Sequence, residues 1–258
     1  MTSLSAIIIT RNEEHCIADC LKSVAWCDEI IVVDSGSTDN TIAICQQFTD
    51  KIFINQNWQG FGYQKNLALA KATGKWVLSI DADEQVSEKL RQEIEQAIEQ
   101  NYLAFQIPRL SKYCGKLIRH SGWSPDYVIR LFQRGQADFS NDLVHEKVQV
   151  TADKVGTLKT SILHNSFTSL EEVLTKVNAY SSANAQMHHE KGKTASLKKA
   201  ILHGFWAFIR TYLLQVGFLD GREGFMLAVS NAEGTYYRYL KLMYLQENAK
   251  NKCNYNNL

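Results

Sequence analysis

Two aspartates one residue apart, Asp81-Ala82-Asp83, close the apolar run Trp76–Ile80 (WVLSI). Carboxylate oxygens are hard donors suited to Mg²⁺ or Mn²⁺. Such an ion can bridge a diphosphate and neutralise charge on it as it leaves. The pair alone is common, and it serves equally well in a solvated loop or a helix cap. Its setting singles it out, because two other polar strand ends precede it. Thr10-Arg11-Asn12 follows a run of isoleucines, and Asp34-Ser35-Gly36-Ser37-Thr38-Asp39 follows IIVV. A carboxylate at the second turn can accept from a uracil N–H or a ribose hydroxyl, while Ser37, Thr38 and Asp39 can also cap a helix. No GxGxxG follows the first run and no GxxxxGK[ST] occurs, which disfavours a dinucleotide site and removes a P-loop.

These residues need elements to carry them. Ser5–Thr10 (SAIIIT) is a short β-branched run that predicts a buried strand. Asn12 is placed to cap a following helix, whose Glu13 and Glu14 suit a positive N-terminus. Glu29–Asp34 predicts a second strand, with a helix from Thr38-Asp39 through Phe48. Lys51–Ile54 is a weaker third strand, Phe61–Lys71 a helix and Trp76–Ile80 a fourth strand. Ser87–Asn101 reads as a helix and Leu103–Pro108 as a strand. This βαβαβαβ order predicts an α/β fold with a mostly parallel sheet between helices. In such sheets ligands bind beyond the carboxyl ends of the strands, where all three polar turns fall. Residues 109–170 are less regular, with short strands around Tyr127–Gln133, Lys147–Val150 and Thr160–His164. From Ser169 the pattern is helical, so the expected division is 1–168 and a helical C-terminal extension, 169–258.

The chain has 258 residues, 45% hydrophobic and 21% charged, which excludes a disordered or fibrous chain. Its net charge of +1 hides an asymmetry: residues 187–258 hold ten Lys/Arg against five Asp/Glu. Such a surplus suits an anionic membrane surface or nucleic acid, and the sequence supports the membrane. Ala200–Phe218 (AILHGFWAFIRTYLLQVGF) is the most apolar stretch, with Leu202, Phe205, Trp206, Ile209, Leu213 and Val216 on one helical face. It fits a core-packed helix or a helix lying on lipid aided by Lys191, Lys193, Lys198 and Lys199. His203, Arg210 and Gln215 weigh against a membrane span. The six cysteines form no CxxC pair, and the N-terminus lacks a signal peptide, so a reducing, cytoplasmic setting is expected.

Four ordered motifs, TRNEE (Thr10–Glu14), VVDSGSTDNT (Val32–Thr41), GYQKNLALAKATGKW (Gly62–Trp76) and SIDADE (Ser79–Glu84), resemble the family 2 inverting glycosyltransferases of the GT-A fold. GWSPDYVIRLFQR (Gly122–Arg134), DLVHEKV (Asp142–Val148), ILHNSFTSLEE (Ile162–Glu172) and GFLDGREG (Gly217–Gly224) resemble one branch. That branch adds a β-1,4-linked glucose to the first heptose of the lipopolysaccharide or lipooligosaccharide inner core.

The resemblance implies roles. Thr10, Asn12, Glu13, Asp34, Lys65, Asn66 and Asp81 would line the nucleotide pocket. Asp83 would hold a divalent cation (Mg²⁺ or Mn²⁺) with Asp81 beside it, and Gln85 and His164 are further ligand candidates. An inverting transfer needs a carboxylate to take the proton of the acceptor hydroxyl. That base is expected to be Glu146, with Asp142 as runner-up and His145 orienting it or lining the pocket. Trp123, Asp126 and Arg130 would border the sugar, and Arg130 and Arg109 would meet acceptor phosphates; Trp123 serves equally as core and Arg130 as a structural ion pair. The implied donor is a UDP-sugar, UDP-glucose first, and the acceptor the heptose of a lipid A–core precursor. The enzyme would sit peripherally on the cytoplasmic face of the inner membrane, with no nucleic-acid partner. Two rivals stand beside this: another UDP-sugar moved to a different lipid or polysaccharide acceptor, and a non-catalytic nucleotide-sugar-binding protein.

Overall fold

Isoleucine and valine runs make the first strands, because β-branched side chains pack well on a sheet covered on both faces. A computed structural model of the chain describes residues 3–140, 147–151 and 154–255. In chain order the elements of its first half are β1 (Leu4–Thr10), α1 (Ile17–Val24), β2 (Glu29–Asp34), α2 (Thr41–Cys45), β3 (Ile52–Ile54), α3 (Phe61–Leu69), β4 (Trp76–Asp81), β5 (Glu84–Gln85) and α4 (Glu88–Ala97). There follow β6 (Ala104–Tyr113), β7 (Lys116–Leu117), β8 (Asp126–Gln133), β9 (Ala137–Phe139), β10 (Val148–Val150), β11 (Val155–Thr157) and β12 (Ile162–Phe167). Helices α5 (Leu170–Glu190), α6 (Leu197–Ile209) and α7 (Gly221–Tyr255) complete the chain, with a π turn at Arg210–Leu214 and a 3₁₀ turn at Gly217–Asp220 between α6 and α7.

The main sheet runs β3-β2-β1-β4-β8-β6-β12-β5, with β7 and β11 paired to β6. Its first four strands are parallel. The sheet then turns antiparallel, as β8 pairs with β4 and with β6. The expected α/β architecture is thus present, with the parallel order confined mainly to the N-terminal strands. Asn12 does not cap a helix: α1 starts at Ile17, and Asn12 takes a left-handed φ of 56°.

The fold falls into two compact units, Met1–Leu110 with Pro125–His164, and Ser111–Ser124 with Asn165–Leu258. The first unit buries Ile8, Ile17, Leu21, Trp76, Leu78 and Leu90 on one side of the sheet and Ile7, Ile31, Val77 and Phe132 on the other. In the second, Tyr113, Ile118, Val173 and Leu227 form a smaller core, against which Trp123 and Phe167 pack. Asp220 ties this unit together, accepting from the backbone N–H groups of Arg119 and His120, each at 3.0 Å, and from Ser121 Oγ at 2.9 Å. Gly224 sits where a Cβ would lie 1.9 Å from the Gly217 carbonyl oxygen, so that turn closes only with glycine.

Helix α6 distributes its side chains the opposite way from a soluble helix. Its buried residues are the small ones, Ala200, Gly204 and Ala207. A Cβ on Gly204 would meet Tyr236 Cβ at 3.1 Å, so α6 lies close on α7. The large apolar side chains face out: Leu202 is 56% exposed, Phe205 66% and Trp206 54%. They are therefore not core residues, which removes the core-packed alternative. No described helix is long and apolar enough to cross a membrane.

Candidate active site

Register places three polar residues in a row. Thr10 pairs with Asp34 across β1–β2, and Ile9 with Asp81 across β1–β4, so all three stand at the carboxyl ends of adjacent parallel strands. Each is held differently. Asp34 is buried, and one carboxylate oxygen accepts from Gly36 N at 2.8 Å and Ser37 N at 2.9 Å, an Asx turn that fixes the loop. The loops after β1 and β2 are then stitched together. Thr38 N donates to Asn12 Oδ1 at 2.8 Å, Asn12 N to Ser37 Oγ at 2.8 Å, and Glu13 N to Thr41 Oγ1 at 2.8 Å. Thr10 Oγ1 is buried with no hydrogen-bond partner among the described residues, an unspent polar atom at the centre of the row.

Asp81 sits between two cations. Lys65 Nζ, from α3, lies 2.8 Å from Oδ1, and the Arg130 guanidinium, from β8, contacts Oδ2. Arg130 also reaches Glu84 Oε1 at 2.6 Å, and Glu84 Oε2 accepts from Asp81 N at 2.9 Å. Burial alone would push the Asp81 carboxyl up, but Arg130 and Lys65 together hold it well below the usual carboxylate range. Burial wins for Glu84, whose carboxyl is raised despite Arg130. Asp83, two residues on, lies outside this cluster and faces β12, where His164 Nε2 is 3.1 Å from Asp83 Oδ2. Strand β5 fixes that pair, since Glu84 stands opposite His164 and Gln85 opposite Leu163. One carboxylate and one imidazole side by side are a reasonable donor set for a divalent cation, with Mn²⁺ tolerating the nitrogen better than Mg²⁺. Asp81, with each oxygen already on a cation, is the poorer donor here.

The remaining candidates are placed as follows. Asn66 spends both ends of its amide on Phe139, donating to its carbonyl and accepting from its N–H, each at 2.9 Å. It therefore ties α3 to β9. Asp126 accepts from Arg109 Nε at 3.0 Å and Nη2 at 2.6 Å, so the guanidinium groups of both Arg109 and Arg130 are engaged by carboxylates. Trp123 belongs to the second unit, stacked on Phe167 with ring centroids 5.7 Å apart. Asp142, His145 and Glu146 lie outside the described residues. The segment's two flanks are tied to each other, as Ser140 N donates to the Lys147 carbonyl at 2.9 Å. Glu84 was not among the sequence candidates. Its signal was present in SIDADE, but its partner Arg130 is 46 residues away.

Comparison with known proteins identifies the family. The family described as Glycosyl transferase family 2 matches residues 5–152. A glycosyltransferase of Rickettsia typhi without assigned substrate is 33% identical, over 97% of this chain and 90% of that one. The lipopolysaccharide core biosynthesis glycosyltransferase LpsC of Rhizobium meliloti is 32% identical, over 89% and 87%. Among solved structures, Staphylococcus aureus TarS 1–349 in complex with UDP is 18% identical, covers 95% of this chain and 92% of that one, and has a TM-score of 0.49. The chain belongs to the family 2 glycosyltransferases.

Proposed function

We propose that this enzyme transfers a hexose, glucose first, from a UDP-sugar to the heptose of a lipopolysaccharide inner-core precursor, with inversion. The reading rests on one arrangement: Asp83 paired with His164 beside the clamped Asp81, in line with Thr10 and Asp34. Similarity to LpsC supports a core acceptor.

The nucleotide lies along the row of strand ends. Asp34, Asn12 and Glu13 shape the rim, and the free hydroxyl of Thr10 offers a hydrogen bond to the ligand. Lys65 and Arg130 keep Asp81 ionised and in place. Asp83 and His164 would hold a divalent cation, Mg²⁺ or Mn²⁺, which would supply positive charge at the diphosphate leaving group. The acceptor hydroxyl gives its proton to a carboxylate as it attacks the anomeric carbon, and Glu146 takes that role, with Asp142 the alternative. Asn66, by fixing Phe139, anchors the strand that leads to this segment.

The acceptor is a membrane lipid, and the outward apolar face of α6 matches the need to reach it. Phe205 and Trp206 enter the headgroup layer while Lys198 and Lys199 meet anionic phosphate, at the cytoplasmic face. Incubation with a panel of UDP-sugars and purified core acceptors, with and without EDTA, tests the whole reading by mass spectrometry. A hexose added to the heptose only when a divalent ion is present is the expected product. Transfer of another sugar, or only to heptose-free acceptors, would replace the substrate assignment.

A further inference from the structure

The helical unit contains a cavity that the transfer chemistry does not use. It measures about 390 Å³ and opens between the end of α5, the following loop, the start of α6 and the middle of α7. His188, Lys193, Thr194, Lys199, His203 and Tyr239 line it, and among the described residues no carboxylate does. Among the described residues, Lys199 Nζ reaches only the Thr194 carbonyl, at 3.3 Å, and neither lysine has a carboxylate partner. His203 is held flat on Tyr239, with ring centroids 4.4 Å apart and planes within 9°. The Arg238 guanidinium lies 5.0 Å from the Tyr239 ring centroid, and its Nε is buried without a partner among the described residues. Burial first, then the fields of Lys193, Arg238 and Lys191, push the His188 imidazole below its ordinary range, so the surroundings already resist further positive charge.

A concave site with two ammonium groups, two imidazoles and two hydroxyls gathers donors and repels cations. The two histidines alone would suit a metal, but the adjacent lysines oppose one. The complementary ligand is a compact anion with several acceptor oxygens. We propose that this cavity binds a phosphate group, with Lys193 and Lys199 as its charged contacts and His203 as a fixed ring donor.

Two sources carry that chemistry, inorganic phosphate and a phosphomonoester lipid headgroup. Helix α6 bears both Lys199 and His203 at the cavity and Phe205 and Trp206 on its exposed face, so a headgroup is within the logic of the same helix. Calorimetry on the full chain with inorganic phosphate tests the site directly. The wild type should bind, Lys193→Ala/Lys199→Ala should weaken binding by roughly tenfold or more, and Lys193→Arg/Lys199→Arg should restore it. Circular dichroism melts verify that each variant is folded. Flotation with phosphatidylcholine vesicles containing phosphatidic acid, against vesicles of equal charge made with phosphatidylserine, separates the sources. Loss of the phosphatidic-acid preference in the alanine variant assigns the lipid headgroup. Loss of inorganic phosphate binding with unchanged flotation assigns the soluble ion. Wild-type protein that binds neither, or an alanine variant that keeps wild-type affinity for both, overturns the proposal. Neither assay contains a sugar donor or acceptor, so its failure leaves the transfer reading intact, and the reverse holds.

Discussion

The tip of β4 and the outer face of α6 break the same rule in opposite directions. At β4, Lys65, Arg130 and Glu84 are at most 5% exposed, although charged residues are almost never that buried unless paired. On α6, Phe205 is 66% exposed with Leu202 and Trp206 beside it, although soluble proteins rarely expose contiguous apolar patches. The first departure is compensated inside the molecule, because each charge finds a partner. The second is compensated by nothing among the described residues of the helical unit. A violation satisfied internally tells of positioning; one left open tells of a surface that meets something else.

The comparison can be broken first at Arg130. Replacing it with methionine keeps bulk but leaves Asp81 and Glu84 facing each other without their shared cation. The urea midpoint should fall by the equivalent of about 3–5 kcal/mol, the cost of stranding buried charge. A loss under about 1 kcal/mol would mean that water reaches the cluster and that its burial is not what holds it.

A second buried carboxylate, at the far end of β2, gives a pH signature. Burial would raise Glu29, but hydrogen bonds from Lys51 Nζ, Ser5 Oγ and Thr73 outweigh it and bring it from 4.5 to about 2. Its folded value is depressed, so its contribution is fully present above pH 4.5 and drains away as pH falls towards 2. The shift corresponds to about 3 kcal/mol. Unfolding free energies measured from neutral pH down to pH 2 should show most of that loss, and Glu29→Gln should flatten the corresponding part of the curve. A wild-type curve no steeper than the variant's would show that Glu29 keeps its ordinary affinity for protons.

How much of this was legible beforehand follows from range. Strands β1, β2 and β4 were readable because short apolar runs (III, IIVV, WVLSI) and their polar terminators are local signals, and β2 falls where it was expected, at Glu29–Asp34. The row of Thr10, Asp34 and Asp81 followed from those ends. Strands of two or three residues, such as β5 and β9, carry too little pattern to see. Asn12 was misread because its amide answers to Thr38, 26 positions on, and not to its own helix. The Asp83–His164 pair and the Arg130 clamp join segments 81 and 49 positions apart, so only the folded sheet brings them together. On α6 the apolar stripe was visible; which side faced inward depended on Gly204 meeting α7, which no periodicity contains.

The helical unit has its own buried carboxylate, and it sharpens the contrast. Asp220 accepts from two backbone N–H groups, Ser121 Oγ and the His120 ring. Asp220→Ala leaves those donors without a partner and should cost about 2–3 kcal/mol in denaturant unfolding, less than Arg130→Met because no full charge is stranded. Asp220→Asn keeps acceptor capacity and should recover part of it. Equal losses for the two variants would mean that charge, not acceptor count, is what the loop at 119–121 requires.

The smallest stability change is expected where the exposed apolar surface is largest. In the core, Ile8→Ala should cost about 2–5 kcal/mol, since it removes a fully buried side chain. Phe205→Ser and Trp206→Ser remove side chains more than half open to solvent, and should shift the unfolding free energy by no more than about 0.5 kcal/mol. The same substitutions should lower capture by anionic vesicles, because the area lost is area that would enter the headgroup layer. Folding and vesicle capture should thus respond to different residues of similar size. If Phe205→Ser instead destabilised the free protein by about as much as Ile8→Ala, the outer face of α6 would have to be covered in solution, and a second protein surface would replace the bilayer as its occupant.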